Sequence, residues 1–283
     1  MSSWYRESLY DHWQQSFLVS REIYRSQGGL QEIALFETPG FGRVLTLDGV
    51  IQVTTGDEFV YHEMLAHVPV YAHGNVKTAC VVGGGDGGML REILKHKSVE
   101  KAVLVEIDGA VVDFCREHMP SVSDGAFDDP RTEIVIADGI KFMAETDRKF
   151  DLIVIDSTDP IGPGGVLFTE PFYRDCARCL NPDGIVVNQN GVPFLQGEEV
   201  TDTYRRRKAH FADVGYYLAA VPTYVGGFMA LGWACQSTRP RLEAAETIRA
   251  RFDAAPVATR YYTPDLHKAS FALPKFVQDL IHD

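Results

Sequence analysis

The sequence has little of what marks a secreted, a membrane-spanning or a nucleic-acid-binding protein. Its 283 residues include five cysteines, an odd and scattered set that does not fit the disulfide framework of a secreted domain. It has neither an apolar signal segment near Met1 nor an apolar run long enough to cross a membrane. We therefore expect a cytoplasmic protein with reduced thiols and no membrane partner.

Basic side chains are also scarce. There are 27 Lys and Arg residues against 39 Asp and Glu, which gives a formal net charge of -12. This balance disfavours the phosphate backbone of a nucleic acid as a partner and suits cationic ligands. The chain is otherwise of ordinary globular composition, and its length suffices for one large domain and a smaller one.

The strand patterns divide the chain into two regions. From Ser16 to about Val53, short β-rich runs alternate with turn residues, which predicts a small antiparallel β region. A helical pattern follows in GDEFVYHEMLAHVPVYAHG. Beyond it, unbroken apolar strands alternate with helices, which predicts an α/β fold whose parallel sheet is covered on both faces. In such sheets, ligands bind beyond the carboxyl ends of the strands.

The first of these strands ends in the glycine-rich loop Gly83-Gly84-Gly85-Asp86-Gly87-Gly88, just before a helix that we expect to start near Met89. The pattern G-x-G-x-x-G permits a tight turn and a close approach of a ligand to the backbone, although a purely structural turn gives the same pattern. The second strand ends in Glu106, about 20 residues further on, where a carboxylate binds ribose hydroxyls. The two features together predict a nucleoside ligand.

Asp86 separates the classes of nucleoside. A carboxylate in the glycine loop would repel the pyrophosphate of a dinucleotide, whereas it would stabilise a sulfonium or ammonium group. An NAD-dependent oxidoreductase is therefore disfavoured, and a derivative of adenosylmethionine is favoured.

The next two strands also end in acids. Asp138, followed by Gly139, is either an acceptor for the exocyclic amine of adenine or the N-cap of a helix from Ile140, and both roles can hold together. Asp156 and Asp159 follow the fourth strand, where packing does not explain a pair of carboxylates. The Pro- and Gly-rich loop from Ser157 to Phe168 is expected to act as a lid.

Long motifs in this order resemble the spermidine synthase family. They are GGGDGGMLREILKH, VEID, DSTDPIGPGGVLFTEPFY, YHEMLAHVP and GRVLTLDGVIQVTTGDEF, and the resemblance continues to RYYTPDLHKASFALP, over nearly the whole chain. It implies a Rossmann-like, methyltransferase-type doubly wound sheet (57–283) after a small N-terminal antiparallel β domain (1–56). It also implies a homodimer or homotetramer.

The activity implied by the resemblance is transfer of an aminopropyl group from decarboxylated S-adenosylmethionine to putrescine, giving spermidine and 5'-methylthioadenosine. The donor is a co-substrate, so no cofactor is expected. The resemblance makes Asp156 the catalytic proton acceptor. Its donor-binding residues are Gln31, Asp86, Glu106, Asp138, Gly139 and Pro163. Its amine-binding residues are Tyr61, His62, Asp86, Asp156, Asp159, Gln189 and Tyr224. Apart from the resemblance, the two tyrosines are equally explained as core residues.

No metal site is expected. His62 and His67 flank a sequence similar to the zinc motif H-E-x-x-H, but they are five residues apart and do not share a helix face. Cys176 and Cys179 have no second pair of ligands and are interpreted as half-buried helix residues.

Other activities remain open at this stage. A methyltransferase would share the sheet and the ribose-binding acid, but it must accept an amino-acid carboxylate that Asp86 opposes. A catalytically inactive nucleoside- or polyamine-binding protein would have no need of the paired Asp156 and Asp159.

Overall fold

Short strands near the start of the chain pair only with their neighbours in sequence. The computed structural model describes residues 3–26, 31–157 and 167–282. There, β1 (Ser3–Arg6) pairs with β2 (Ser16–Val19), and an antiparallel sheet is formed by β3 (Arg21–Arg25), β4 (Ile33–Thr38), β5 (Gly42–Leu47) and β6 (Val50–Thr54). The predicted antiparallel β domain is confirmed, although its first strand begins well before Ser16.

A single helix connects this β domain to the rest of the chain. Helix α1 (Glu58–His73) is buried along almost its whole length, because it packs on the central sheet with one side and on the next helix with another. It ends at Gly74, whose φ of 84° lies in the left-handed region that favours glycine. Residues on several faces of α1 are therefore held in fixed positions.

The central sheet is mostly parallel. In the described part of the chain its strands are β7 (Thr78–Gly83), β8 (Lys101–Glu106), β9 (Thr132–Ile136), β10 (Phe150–Asp156), β11 (Leu180–Gln189), β12 (Asp213–Ala219) and β13 (Met229–Cys235). They lie in the order β12-β13-β11-β10-β7-β8-β9. The five strands from β7 to β11 are all parallel to one another. Connecting helices are α2 (Gly88–Leu94), α3 (Gly109–His118), α4 (Pro120–Ser123), α5 (Gly139–Glu145), α6 (Glu170–Arg178) and α7 (Gly197–Lys208). The chain then continues through α8 (Arg239–Leu242), α9 (Ala245–Ala254), α10 (Pro264–Ala269) and α11 (Lys275–Ile281).

Both faces of the sheet are covered, as the unbroken apolar strands predicted. Along β10, Leu152 and Val154 belong to a core that includes α1, whereas Ile153 and Ile155 face a second core that includes α6. Cys176 lies in this second core, as does Cys179 just beyond α6, and both are fully buried. The interpretation of these cysteines as half-buried was wrong, because α6 packs directly against the sheet.

The last two strands depart from the parallel pattern. β13 pairs antiparallel with both β11 and β12. Only residues 220–228 separate β12 from β13, which is too short for the crossover that parallel neighbours require. The central sheet is therefore mostly parallel, as the apolar strands predicted, and the described residues pair antiparallel only at this edge of it.

The strand order reverses direction between β7 and β10, which are neighbours with their carboxyl ends side by side. Asp156, the last residue of β10, is the register partner of Gly83, the last residue of β7. In an open α/β sheet this switch point forms a crevice that accepts ligands. Apolar residues of β4, β5 and β6 pack against α3 and α4, so the β domain closes one side of the same crevice. In the described residues, no helix has both the length and the apolar character that a membrane crossing requires.

Candidate active site

A cavity at the switch point collects side chains from both domains. Ten of the residues predicted from the sequence line it: Gln31, Tyr61, His62, Asp86, Glu106, Asp138, Gly139, Asp156, Gln189 and Tyr224. Asp159 and Pro163 lie outside the described residues, as does most of the expected lid. The carboxyl ends of the parallel strands share one edge and place the acids there, whereas Tyr61 and His62 come from α1 and Gln31 from the β domain.

The glycine loop touches the end of β10. A Cβ atom on Gly84, whose φ is +71°, would lie 2.7 Å from Oδ2 of Asp156, and one on Gly83 would lie 2.1 Å from its carbonyl oxygen. The glycines therefore permit a close approach of the loop to Asp156 itself. The carboxylate of Asp156 lines the cavity beside this loop.

Asp156 has the environment of a proton acceptor. The hydroxyl of Tyr61 donates a hydrogen bond of 2.6 Å to its Oδ1. Burial and the nearby carboxylate of Asp86 raise the pKa of Asp156 to about 6, against the opposing effects of His62 and Tyr61. Burial and Asp156 also hold the pKa of Tyr61 well above its ordinary value, so the shared proton stays on the phenol. Asp156 is thus ionised, but only weakly acidic, near neutral pH.

Asp86 is paired with a histidine. Nε2 of His62 lies 3.6 Å from Oδ2 of Asp86, and the backbone N–H of Gly88 donates to Oδ1 at 2.7 Å. Burial would raise the pKa of Asp86, but the His62 charge and these contacts lower it. Burial would lower the pKa of His62, yet Asp86 and Glu58 raise it to about 10. At neutral pH the cavity therefore contains an ionised Asp86 beside an imidazolium.

Glu106 lies at the end of β8, with most of its surface buried. Its Oε1 accepts a hydrogen bond of 3.0 Å from the backbone N–H of Asp108. Burial raises its pKa, although backbone N–H groups oppose this change. The carboxylate is held by backbone contacts at the point where α/β sheets bind ribose hydroxyls.

Asp138 caps α5, as one of its two interpretations predicted. Its Oδ1 accepts a hydrogen bond of 2.8 Å from the backbone N–H of Ile140. Asp138 and Gly139 also line the cavity, so the cap does not remove them from the site. Contact with an adenine remains a prediction.

The two tyrosines differ in where their hydroxyls point. The hydroxyl of Tyr224 donates to the backbone oxygen of Gln52 at 2.5 Å, whereas that of Tyr61 reaches Asp156. The rings meet edge to face, with their centroids 5.9 Å apart. Tyr224 therefore offers the cavity an aromatic surface. Gln189, at the end of β11, uses its Oε1 to accept from the backbone N–H of Gly191.

Sequence reasoning missed part of the cavity wall. Glu7 lines it and is almost fully buried, and the amide of Gln15 bridges its carboxylate to the backbone oxygen of Thr223. This contact places Glu7 on the same side as Tyr224. Ile107 also lines the cavity although 55% of its surface is exposed. The position of Ile107 between Glu106 and Asp108 could have indicated that it lies in the site. No sequence pattern indicates Glu7, because it reaches the cavity only through tertiary folding.

No cluster of His, Cys, Asp and Glu suited to a metal ion occurs among residues 3–26, 31–157 and 167–282. The rings of His62 and His67 have different partners, since Nδ1 of His67 contacts His96 at 2.9 Å. The similarity to a zinc motif therefore does not bring the two rings to one ligand.

Comparisons with known proteins agree on one family. Residues 58–243 match the spermine/spermidine synthase domain, and residues 3–55 match the spermidine synthase tetramerisation domain. A polyamine aminopropyltransferase of Ruegeria sp. (strain TM1040) is 56% identical over 277 residues, which cover 98% of each chain. A crystal structure of spermidine synthase in complex with the transition state analogue AdoDATO matches with a TM-score of 0.93 and 41% identity, over 99% of this chain and 94% of that one. The spermidine synthase from Thermotoga maritima matches with a TM-score of 0.90 and 39% identity, over the same shares of the two chains.

Proposed function

The chain belongs to the spermine/spermidine synthase family, and we propose that it is a polyamine aminopropyltransferase acting on putrescine. The donor is decarboxylated S-adenosylmethionine, and the products are spermidine and 5'-methylthioadenosine. The donor's sulfonium is already a good leaving group, so we propose that the reaction needs no cofactor. The observation that carries the proposal is the position of Asp156, a weakly acidic carboxylate at the switch point between a glycine loop and an amine-side aromatic wall.

The reaction is an in-line displacement. The neutral amine nitrogen of putrescine forms a bond to the methylene carbon next to the sulfonium, and the bond between that carbon and sulfur breaks. The amine of free putrescine is protonated near pH 7, and Asp156 accepts the proton that this ammonium must lose before the neutral nitrogen attacks. The pKa of about 6 makes Asp156 a stronger base than an ordinary aspartate while leaving it ionised at pH 7. The protein otherwise contributes positioning and exclusion of water.

The donor occupies the side of the cavity formed by the ends of β7, β8 and β9. Asp86 faces its ammonium, Glu106 the ribose, and Asp138 with Gly139 the adenine. Gln31 and Pro163 complete the nucleoside site. The apolar surface of Ile107 in the cavity wall supports a planar ring at this end.

The acceptor occupies the opposite side, near Tyr61 and Tyr224. Gln189 and Asp159 are the further amine-binding residues of the proposal, and His62 contributes through Asp86, because both of its ring nitrogens face carboxylates. The buried carboxylate of Glu7 on this side supports an acceptor with a second cationic end, as in a diamine. Putrescine is proposed over cadaverine, agmatine and spermidine.

One assay tests the activity directly. The protein is incubated with decarboxylated S-adenosylmethionine and putrescine, and 5'-methylthioadenosine and spermidine are measured by mass spectrometry. We expect both products in equal amounts. Absence of both from a folded protein, over a range of amines, would refute the proposal, and a methylated amine would indicate a methyltransferase.

The rate should depend on pH through Asp156. Because the acceptor must be ionised, we expect kcat to fall about tenfold per pH unit below about 6. Initial rates at saturating substrates, from about pH 5 to 8 at constant ionic strength, measure this limb. Circular dichroism at each pH controls for unfolding. A flat profile between about pH 7 and 5 would exclude Asp156 as the titrating base.

Glu106→Gln should weaken donor binding by about 10- to 100-fold, since hydrogen bonds to a charged group contribute roughly 1.5–3 kcal/mol. Calorimetric titration with 5'-methylthioadenosine measures the change. Asp108→Asn is the matched control, because Asp108 lies two residues away and caps α3 through Ala110 without lining the cavity. Equal affinities for wild type and Glu106→Gln would remove Glu106 from the ribose site.

Assembly and location complete the proposal. We propose a homodimer or homotetramer, which the match of residues 3–55 to a tetramerisation domain supports. Trp4 and Trp13 of this region expose 60% and 41% of their surfaces, as interface residues of a separated subunit do. We also propose a cytoplasmic location, supported by five cysteines that are all buried free thiols.

A further inference from the structure

Alternating charges extend from the cavity into the contact between α1 and α2. Beyond Asp86 and His62, Nδ1 of His62 lies 2.6 Å from Oε2 of Glu58. The guanidinium of Arg91 binds both oxygens of Glu58, at 2.7 and 3.1 Å. All four side chains are largely buried, and Glu58 and Arg91 do not line the cavity.

The position of the His62 ring defines its protonation state. Both ring nitrogens face carboxylates, whereas a neutral imidazole has only one N–H to donate. The ring is also fixed sideways, because a Cβ atom on Gly88 would lie 2.2 Å from its Cε1. A doubly protonated ring is therefore the form that matches the geometry.

The charged groups around the ring come from every element that packs on it. They are Glu58 on α1, Asp86 in the glycine loop, Arg91 on α2 and Asp156 at the end of β10; the neighbouring Tyr61 on α1 is titratable but neutral. Arg91 is held in turn by Glu92 at 2.8 Å and by the backbone oxygen of Val122 at 2.6 Å. Asp86, Asp156 and Glu58 thus face two cations, which leaves a negative excess that an ammonium group can neutralise.

We propose that Glu58, fixed by Arg91, is a positioning residue that keeps His62 doubly protonated and directed at Asp86. The inference rests on the proposed function. In it, the two neighbouring carboxylates of Asp86 and Asp156 have different roles. Asp86 stays ionised as the anion that binds the donor's ammonium, and Asp156 is the carboxylate that exchanges the proton. Without Glu58, the imidazolium loses one of its two acceptors, and Asp86 loses a fixed partner.

Glu58→Gln tests the arrangement by removing the charge while keeping the shape. In protein labelled with ¹⁵N-histidine, the wild-type His62 ring should remain an imidazolium at about pH 8, and the variant's ring pKa should fall by roughly 1–3 units. Loss of its signal in His62→Gln assigns the resonance. The donor KM should rise roughly 10- to 100-fold, since a misplaced binding group has effects of that size, while the putrescine KM changes much less.

Glu63→Gln is the matched control. Glu63 is a buried carboxylate on the same helix, but it accepts from the backbone N–H groups of residues 260–262, away from the cavity. Its loss should leave the His62 signal and the donor KM unchanged. In a His62→Gln background, Glu58→Gln should add little to the donor KM, because Glu58 acts through His62.

The outcomes separate this inference from the proposed activity. A wild-type His62 that titrates near its ordinary pKa of about 6.5 would overturn the inference without any variant. Full additivity of the two substitutions would also overturn it, by showing that Glu58 acts independently of His62. If the ring behaves as expected but no aminopropyl transfer occurs, the proposed function fails while the charge arrangement stands.

Discussion

Asp156→Asn should lower kcat by about 10²- to 10⁴-fold, the usual contribution of a positioned general base. The Asn side chain keeps the size of Asp and can still accept the hydrogen bond from Tyr61, so substrate positions should change little. The KM values for both substrates should therefore stay within a few-fold of wild type. Single-turnover measurement of 5'-methylthioadenosine formation at about pH 8 reads the chemical step directly.

The same substitution should not destabilise the protein. The folded-state pKa of Asp156 is raised to about 6, so the protonated side chain increases the free energy of unfolding. This increase is fully present below the ordinary aspartate pKa and is lost as pH rises through about 6. Above that pH, the buried ionised carboxylate lowers the free energy of unfolding, whereas the neutral Asn side chain does not. At about pH 8, the Tm of Asp156→Asn should equal or exceed that of wild type.

Asp151→Asn is the matched control on the same strand. Asp151 lies near the opposite end of β10, where its carboxylate accepts from the backbone N–H groups of Lys77 and Thr78. Despite burial, these hydrogen bonds lower its pKa, so its charge stabilises the fold at neutral pH. Its replacement should cost roughly 1–3 kcal/mol of unfolding free energy and leave kcat intact. Near-normal turnover by Asp156→Asn would exclude Asp156 as the proton acceptor.

The strand ends were predictable from the sequence because one rule connects them. Apolar runs ending at Glu106 and Asp156 mark buried parallel strands, and parallel strands place their carboxyl ends at one edge. The positions of these acids at the strand ends were therefore sufficient to predict that they share one site. The antiparallel β12 and β13 were missed because an apolar strand has the same pattern in either direction, and only the short connection indicated the reversal.

The partners of His62 were harder to predict. Glu58 lies one helical turn before His62, so their contact could have been inferred from spacing on α1. Arg91 reaches Glu58 only because α1 packs against α2, and Glu7 reaches the cavity only because the β domain folds over the sheet. Tyr224 was predicted in the wall, but its bond to a backbone oxygen from β6 depends on the same docking of domains. Sequence patterns do not predict such contacts, because they form between elements that are distant in sequence.

Asp86→Asn should raise the donor KM by about 100-fold or more. The donor's ammonium would lose its carboxylate, and with it the charge-assisted hydrogen bond that holds it in the cavity. The putrescine KM should change less, because Asp156 and the aromatic wall remain. Asn can still accept the hydrogen bond from Gly88 that orders the glycine loop, so circular dichroism and Tm should report a folded protein.

Selectivity between two donors gives the sharper measurement. Intact S-adenosylmethionine carries a carboxylate that Asp86 repels in the wild type and that the neutral Asn of the variant would not repel. The ratio of Kd values for the intact and decarboxylated compounds, measured by competition against 5'-methylthioadenosine, should therefore shift at least tenfold towards the intact one. Removing Asp86 also removes a charge that raises the pKa of Asp156, so the acid limb of kcat should move below about 6. A variant with the wild-type ratio of Kd values and the wild-type pH dependence of kcat would show that Asp86 faces neither the donor's ammonium nor the proton acceptor.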